Sequence, residues 1–132
     1  MEAIAVVTIL ALSQFFLFGI QVGQMRAKHG VKAPAITGNP EFERMFRIQQ
    51  NTMEQLVLFI PALWIYGYFG NPLWGAAVGL VFIIGRIIYK RGYLIDPSKR
   101  SLGFTIGVIA ISVLLVGGLI AAGNDVYVNY LK

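Results

Sequence analysis

Charged residues divide this 132-residue chain so unevenly that the gaps between them decide what it can fold into. Ala3 to Met25 is a run of 23 residues without a charge, Gln55 to Gly85 a run of 31, and Ser101 to Asn124 a run of 24. A helix rises about 1.5 Å per residue, so roughly 20 residues cross a hydrocarbon layer about 30 Å thick. The first and last gaps each suit one crossing. The middle gap is too long for one and is broken by Gly70-Asn71-Pro72, a turn sequence that makes it two antiparallel spans. Trp64, Tyr66, Tyr68 and Trp74 bracket the turn as an interfacial aromatic belt. Backbone groups in lipid must be satisfied inside each segment, and strands would alternate polar and apolar residues, so all the spans are expected to be helices.

The expectation is an all-α, integral-membrane four-helix bundle, a single domain over residues 1–132 with spans at about 3–25, 46–69, 73–91 and 101–123. Composition agrees: 57% of residues are apolar and 13% charged, against about 45–50% and about 25% in soluble domains. The first span is too long for a signal-peptide core, follows no Lys or Arg and lacks a small-residue cleavage pattern, so it is expected to stay in the mature protein. Gly19-x-x-x-Gly23, Gly75-x-x-x-Gly79 and Gly103-x-x-x-Gly107 place small residues on three spans, where they favour close helix packing.

Ten of the eleven Lys and Arg lie around the first and third connections, and only Lys132 lies elsewhere. The positive-inside rule then makes loops 26–47 and 90–100 cytoplasmic and puts both termini and the Gly70–Pro72 turn on the opposite side. Short loops and no targeting extension lead to an expected bacterial inner-membrane location. Asn39-Pro40-Glu41 and Asp96-Pro97-Ser98 carry the N-cap and Pro signals for the starts of the second and fourth helices.

Polar side chains within a span are costly and therefore informative. Arg47, Asn51 and Glu54, at i, i+4 and i+7, form one stripe on the second helix, with Gln55 beside it. Taken alone, that stripe is either an internal salt bridge with polar contacts between helices or a ligand site. Arg86, Tyr89 and Tyr93 make a matching stripe on the third helix, and Arg100 stands in the first turn of the fourth, where the helix dipole is already positive. A helix N-terminus with an arginine is an anion site, and the same pairing lowers thiol pKa values. The ligand that fits is anionic overall, bears an ammonium for Glu54, and sits where a lipid-soluble co-substrate can reach it sideways. The chain has no Cys, a single histidine (His29) read as solvated in a basic loop, no metal-ligand spacing, and no phosphate-binding glycine motif. No metal and no nucleic-acid partner is expected.

The string Pro40-Glu41-Phe42-Glu43-Arg44, continued by Arg47, Gln49, Asn51 and Glu54, resembles the signature of the MAPEG family, the membrane-associated proteins of eicosanoid and glutathione metabolism. Arg86-x-x-Tyr89-x-x-Gly92-Tyr93 followed by Arg100 is similar to its second element, and the resemblance runs over essentially the whole chain. It implies a homotrimer that binds glutathione as co-substrate, in a U shape between neighbouring subunits near the cytoplasmic face. By matching position, Arg26, Arg47, Gln49, Asn51, Glu54, Arg86, Tyr89 and Tyr93 look like the glutathione ligands, and Arg100 like the catalytic arginine that holds the sulfur as thiolate. The chemistry is consistent: a carboxylate suits the γ-glutamyl ammonium, and guanidinium groups suit the two carboxylates.

The pattern is most similar to the subgroup of leukotriene C synthase and the microsomal glutathione transferases. Ala27 stands where that synthase has a second arginine, which weakens the case for epoxide opening on eicosanoids, and Gln55 stands where it has a tyrosine. Ser101 after Arg100 matches a serine of the prostaglandin-isomerase branch. The implied activity is conjugation of glutathione to hydrophobic electrophiles drawn from the bilayer, with peroxidase activity toward lipid hydroperoxides as a companion. The alternatives are a non-catalytic family member that binds lipids or a partner, and a small transporter using Glu54. Glu43 is expected to pair with Arg47 at i, i+4.

Overall fold

Two Asn-Pro pairs start helices in the same way. In the computed structural model, which describes residues 1–132, Asn39 Oδ1 accepts from the backbone N–H groups of Glu41 and Phe42 at 2.9 and 3.1 Å, and Asn71 Oδ1 from those of Leu73 and Trp74 at 2.9 and 3.1 Å. Each cap satisfies orphan donors, while the following proline has no N–H to lose. The elements are α1 (Glu2–His29), α2 (Pro40–Phe69), α3 (Pro72–Ile95), a 3-10 turn (Pro97–Arg100), α4 (Ser101–Val126) and a terminal π-helical turn (Tyr127–Leu131). Helix α1 ends at Gly30, whose φ of 67° needs a residue without a Cβ.

The helices run up and down, so the end of α1, the start of α2, the end of α3 and the start of α4 share one end of the bundle. At the other end Gly67 of α2 lies against Ile4 and Gly118 of α4 against Ile65. All four expected helices are present. Three segments are long and apolar enough to cross a membrane: Glu2–His29, Pro72–Ile95 and Pro97–Leu131. Helix α2 has the length, but Glu54, Gln55 and three aromatic residues with polar edges near its end dilute its apolar character.

Between helices in lipid there is no hydrophobic driving force, so association depends on close van der Waals contact and polar bonds. Glycines supply the contact. A Cβ on Gly103 would overlap the backbone N of Tyr89 and come within 2.7 Å of Gly85 O, and one on Gly85 would meet Gly107 N at 3.1 Å, so α3 and α4 touch backbone to backbone. Gly79 likewise faces Val7 of α1. Gly23, by contrast, has nothing within 4 Å, so the first small-residue motif is not used throughout its length inside the subunit. Phe59 and Phe82 stack at 3.9 Å between centroids in the larger core cluster, while Phe42, Met45, Ile48 and Tyr89 belong to a second cluster toward the charged end. Leu73 and Leu119 are more than 70% exposed, as lipid-facing side chains would be (71% and 75%).

Several local expectations change. Asp96-Pro97 caps the short 3-10 turn rather than α4 itself, and Arg100 is the N-cap residue of α4. Glu43 does not pair with Arg47: Glu41 is the acid engaged here, hydrogen-bonded to His29 Nε2 at 2.9 Å and ion-paired with Lys28 at 3.4 Å, tying the end of α1 to the start of α2. His29 is therefore held by a carboxylate, its side chain only 19% exposed, rather than solvated. The reason is geometric, since the 10-residue connection between α1 and α2 folds back and brings the two helix ends together. Hydrogen bonding from His29 holds the Glu41 carboxyl below its ordinary range, with Lys28 adding to the effect.

Candidate functional site

At the charged end, α2, α3 and α4 enclose a cavity of about 580 Å³ lined by Arg47, Asn51, Tyr89, Tyr93, Arg100, Ser101, Phe104 and Thr105. Five of these were expected from the sequence. Helical spacing explains the grouping: Arg47 and Asn51 are one turn apart on α2, Tyr89 and Tyr93 one turn apart on α3, and the 3-10 turn carries Arg100 across the mouth.

Glu54 sits one turn beyond Asn51 and accepts from Arg47 Nη1 at 3.2 Å, both side chains about half exposed. A pair so open to solvent contributes little to stability and can exchange partners easily. Asn51 is held from behind. Arg86, only 1% exposed, donates from Nη2 to Asn51 Oδ1 at 2.9 Å and to Thr52 Oγ1 at 2.8 Å, and its guanidinium carbon lies 4.1 Å from the Tyr89 ring centroid. Hydrogen bonds to two neutral oxygens and the nearby aromatic ring offset part of the cost of burying this cation without a carboxylate, while its Nε stays buried with no partner. Thr52 Oγ1 also donates to Ile48 O at 2.8 Å, which aims its free lone pairs at Arg86.

Arg100 is positioned by its own turn. Its Nη1 donates to Pro97 O at 2.9 Å, and its guanidinium carbon stands 5.9 Å from the Tyr93 ring centroid. Asp96 organises that turn by accepting from Ser98 N at 2.9 Å and Ser98 Oγ at 2.8 Å. The backbone hydrogen bond from Ser98 keeps the Asp96 carboxyl below its ordinary range, with the Ser98 hydroxyl adding to it. The cavity thus combines two guanidinium groups, two phenols, a carboxamide and two aliphatic hydroxyls, with Phe104 as an apolar edge. It is suited to an anion with several hydrogen-bonding groups.

Two of the expected residues lie elsewhere. Gln49 borders a separate hollow with Leu12, Phe15, Phe16, Gly19 and Ile20, on the α1 side of α2. Arg26 donates from Nη1 to Ala35 O at 2.6 Å and stands over the Phe42 ring at 4.7 Å. One subunit therefore presents the expected set on two separate faces, with Arg86 as a support beneath Asn51. The sequence reading did not single out Thr52, Phe104 or Thr105. Thr105 had a signal, a hydroxyl one turn after Ser101 in an otherwise apolar helix; Thr52 had none, because a threonine bonded to its own helix is commonplace.

The comparisons with known proteins agree with this architecture. Residues 4–120 match the MAPEG family. An uncharacterised protein of Synechocystis sp. is 43% identical over 117 residues, covering 89% of this chain and 85% of that protein. Microsomal glutathione S-transferase 2 of Homo sapiens is 40% identical over 128 residues, covering 97% and 87%. Leukotriene C4 synthase of Cavia porcellus is 39% identical over 97 residues, covering 74% and 65%. With the family match spanning most of the residues that build both the bundle and the cavity, the chain belongs to the MAPEG family.

Proposed function

We propose that this protein is a membrane glutathione transferase that works as a homotrimer, joining glutathione to hydrophobic electrophiles. The observation that carries the reading is the convergence of Arg47, Asn51, Tyr89, Tyr93 and Arg100 on one cavity. In this reading Arg47 and Tyr93 take a glutathione carboxylate, Glu54 releases Arg47 to receive the γ-glutamyl ammonium, and Arg86 acts through Asn51. The faces bearing Arg26 and Gln49 complete the site from a neighbouring subunit. Helix α2 would then cross the membrane sheltered by its neighbours, with the charged end cytoplasmic; a bacterial inner membrane fits this reading.

Arg100 at the start of α4 faces the glutathione sulfur and stabilises the thiolate over the thiol. The thiolate attacks the electrophilic carbon of R–X, a C–S bond forms as the C–X bond breaks, and the thiol proton leaves with X as HX. The same thiolate would reduce a lipid hydroperoxide to its alcohol and water, with two glutathiones yielding their disulfide.

The test is purified protein in detergent with glutathione and chlorodinitrobenzene, following conjugate formation and the thiolate absorbance of bound glutathione. Arg100→Ala is expected to remove the thiolate signal at neutral pH and slow conjugation about a hundredfold, the scale seen when one anion-stabilising donor is lost. Conjugation unchanged in Arg100→Ala overturns that role, and an absence of glutathione binding overturns the whole reading.

A further inference from the structure

A second hollow, of about 440 Å³, lies between α1 and α3, away from both faces described above. Leu10, Gln14, Leu17 and Gln21 line it from α1 at i, i+4, i+7 and i+11, one continuous stripe. Ile83 and Ile87 face them from α3, and Lys90 and Arg91 close the end toward the loops. Lys90 reaches over the groove, its Nζ 5.3 Å from the Phe18 ring centroid, and neither Lys90 nor Arg91 is ion-paired to a carboxylate. The Oε1 atoms of Gln14 and Gln21 are buried with no hydrogen-bond donor.

We infer that this groove holds a single anionic phospholipid of the leaflet on the charged side, its phosphate on Lys90 and Arg91 and one acyl chain against Leu10, Leu17, Ile83 and Ile87. Length identifies the occupant. From Leu10 to Gln21 is about 16 Å along a helix axis, half the roughly 30 Å of hydrocarbon that a partner helix would have to line. Charge identifies the headgroup, since two unpaired cations at the depth of the phosphates attract anionic lipid. The donorless Gln21 Oε1 adds a preference for a headgroup with hydroxyls, as in phosphatidylglycerol. The inference does not depend on the glutathione reading.

Native mass spectrometry of the full chain from detergent tests it, with palmitoyl-oleoyl phosphatidylglycerol and phosphatidylcholine as competing probes. Phosphatidylglycerol adducts are expected to outnumber phosphatidylcholine adducts about tenfold, a ratio equivalent to about 1.4 kcal/mol. Lys90→Gln with Arg91→Gln should bring the two to parity, and Arg91→Gln alone, at an exposed position, should lower the ratio without disturbing the fold. Leu17→Trp, which fills the groove, should remove adducts of both, while Lys32→Gln in the first loop should change nothing. Equal binding by the native chain overturns the inference. So does a preference that survives the double substitution, or undiminished phosphatidylglycerol in Leu17→Trp. A co-purifying membrane protein released by Leu17→Trp, in place of lipid, also overturns it.

Discussion

Arg86 shows how a single side chain links packing to chemistry. It is almost wholly buried, yet two of its hydrogen bonds go to α2, at Asn51 and Thr52. Thr52→Val keeps the shape and removes one charge-assisted bond, so it should destabilise the protein by about 1.5–3 kcal/mol. The check is a detergent unfolding midpoint, read with glutathione affinity. The fall in affinity should be smaller than in Asn51→Ala, which takes away the group the cavity presents. At this scale the sequence was partly legible. The polar stripe of Arg47, Asn51 and Glu54 stood out because charges in an apolar helix are costly. The division of labour did not, because spacing along α3 places Arg86 on a face without saying that a hydroxyl on α2 waits there.

At the scale of elements, the contact between α3 and α4 rests on missing side chains. A Cβ at Gly103 would collide with the backbone of Tyr89, which cannot rotate away. Gly103→Ala should therefore separate the helices, cost about 1–3 kcal/mol as overpacking does, and widen the cavity that Tyr89 lines. Gly123 meets nothing within 4 Å, and Gly123→Ala should be neutral or stabilising by up to about 1 kcal/mol. Thermal midpoints in one detergent distinguish the two. The junction of α1 and α2 adds a pH dependence. The Glu41 carboxyl is held below its reference value of 4.5 by His29 and Lys28, so its contribution is present above about that pH and is lost as pH falls through the lowered value. The unfolding midpoint should drop below pH 4.5, and drop less in Glu41→Gln. Charge gaps revealed the helices and Asn39-Pro40 the start of α2, but not that Asp96 would cap a 3-10 turn ahead of α4, nor which of two neighbouring glutamates would face the returning end of α1, a matter of how a 10-residue connection folds.

For the whole molecule, the separation of Arg26 and Gln49 from the main cavity is the feature with the widest reach. An interface that joins unlike faces makes a ring when its rotation closes, and in the homotrimer proposed above the face bearing Arg26 and Gln49 on one copy would complete the cavity of the next. Co-expressed Arg100→Ala and Arg26→Ala chains should then recover about a quarter of native conjugating activity when mixed evenly, although each alone is impaired, because one in four random neighbour pairs rebuilds an intact site. No recovery would place every required group within one subunit.

The apolar edge of the cavity carries a kinetic consequence. Phe104, 38% exposed on α4, borders the space where the two phenols and Arg100 converge. In the transferase reading proposed above, an acceptor entering past Phe104 would come from a two-dimensional solvent, so half-saturation should follow its mole fraction in lipid rather than its concentration in water. Adding inert lipid or detergent at constant total acceptor should slow turnover by surface dilution, whereas glutathione, arriving from the aqueous side, should be indifferent to it.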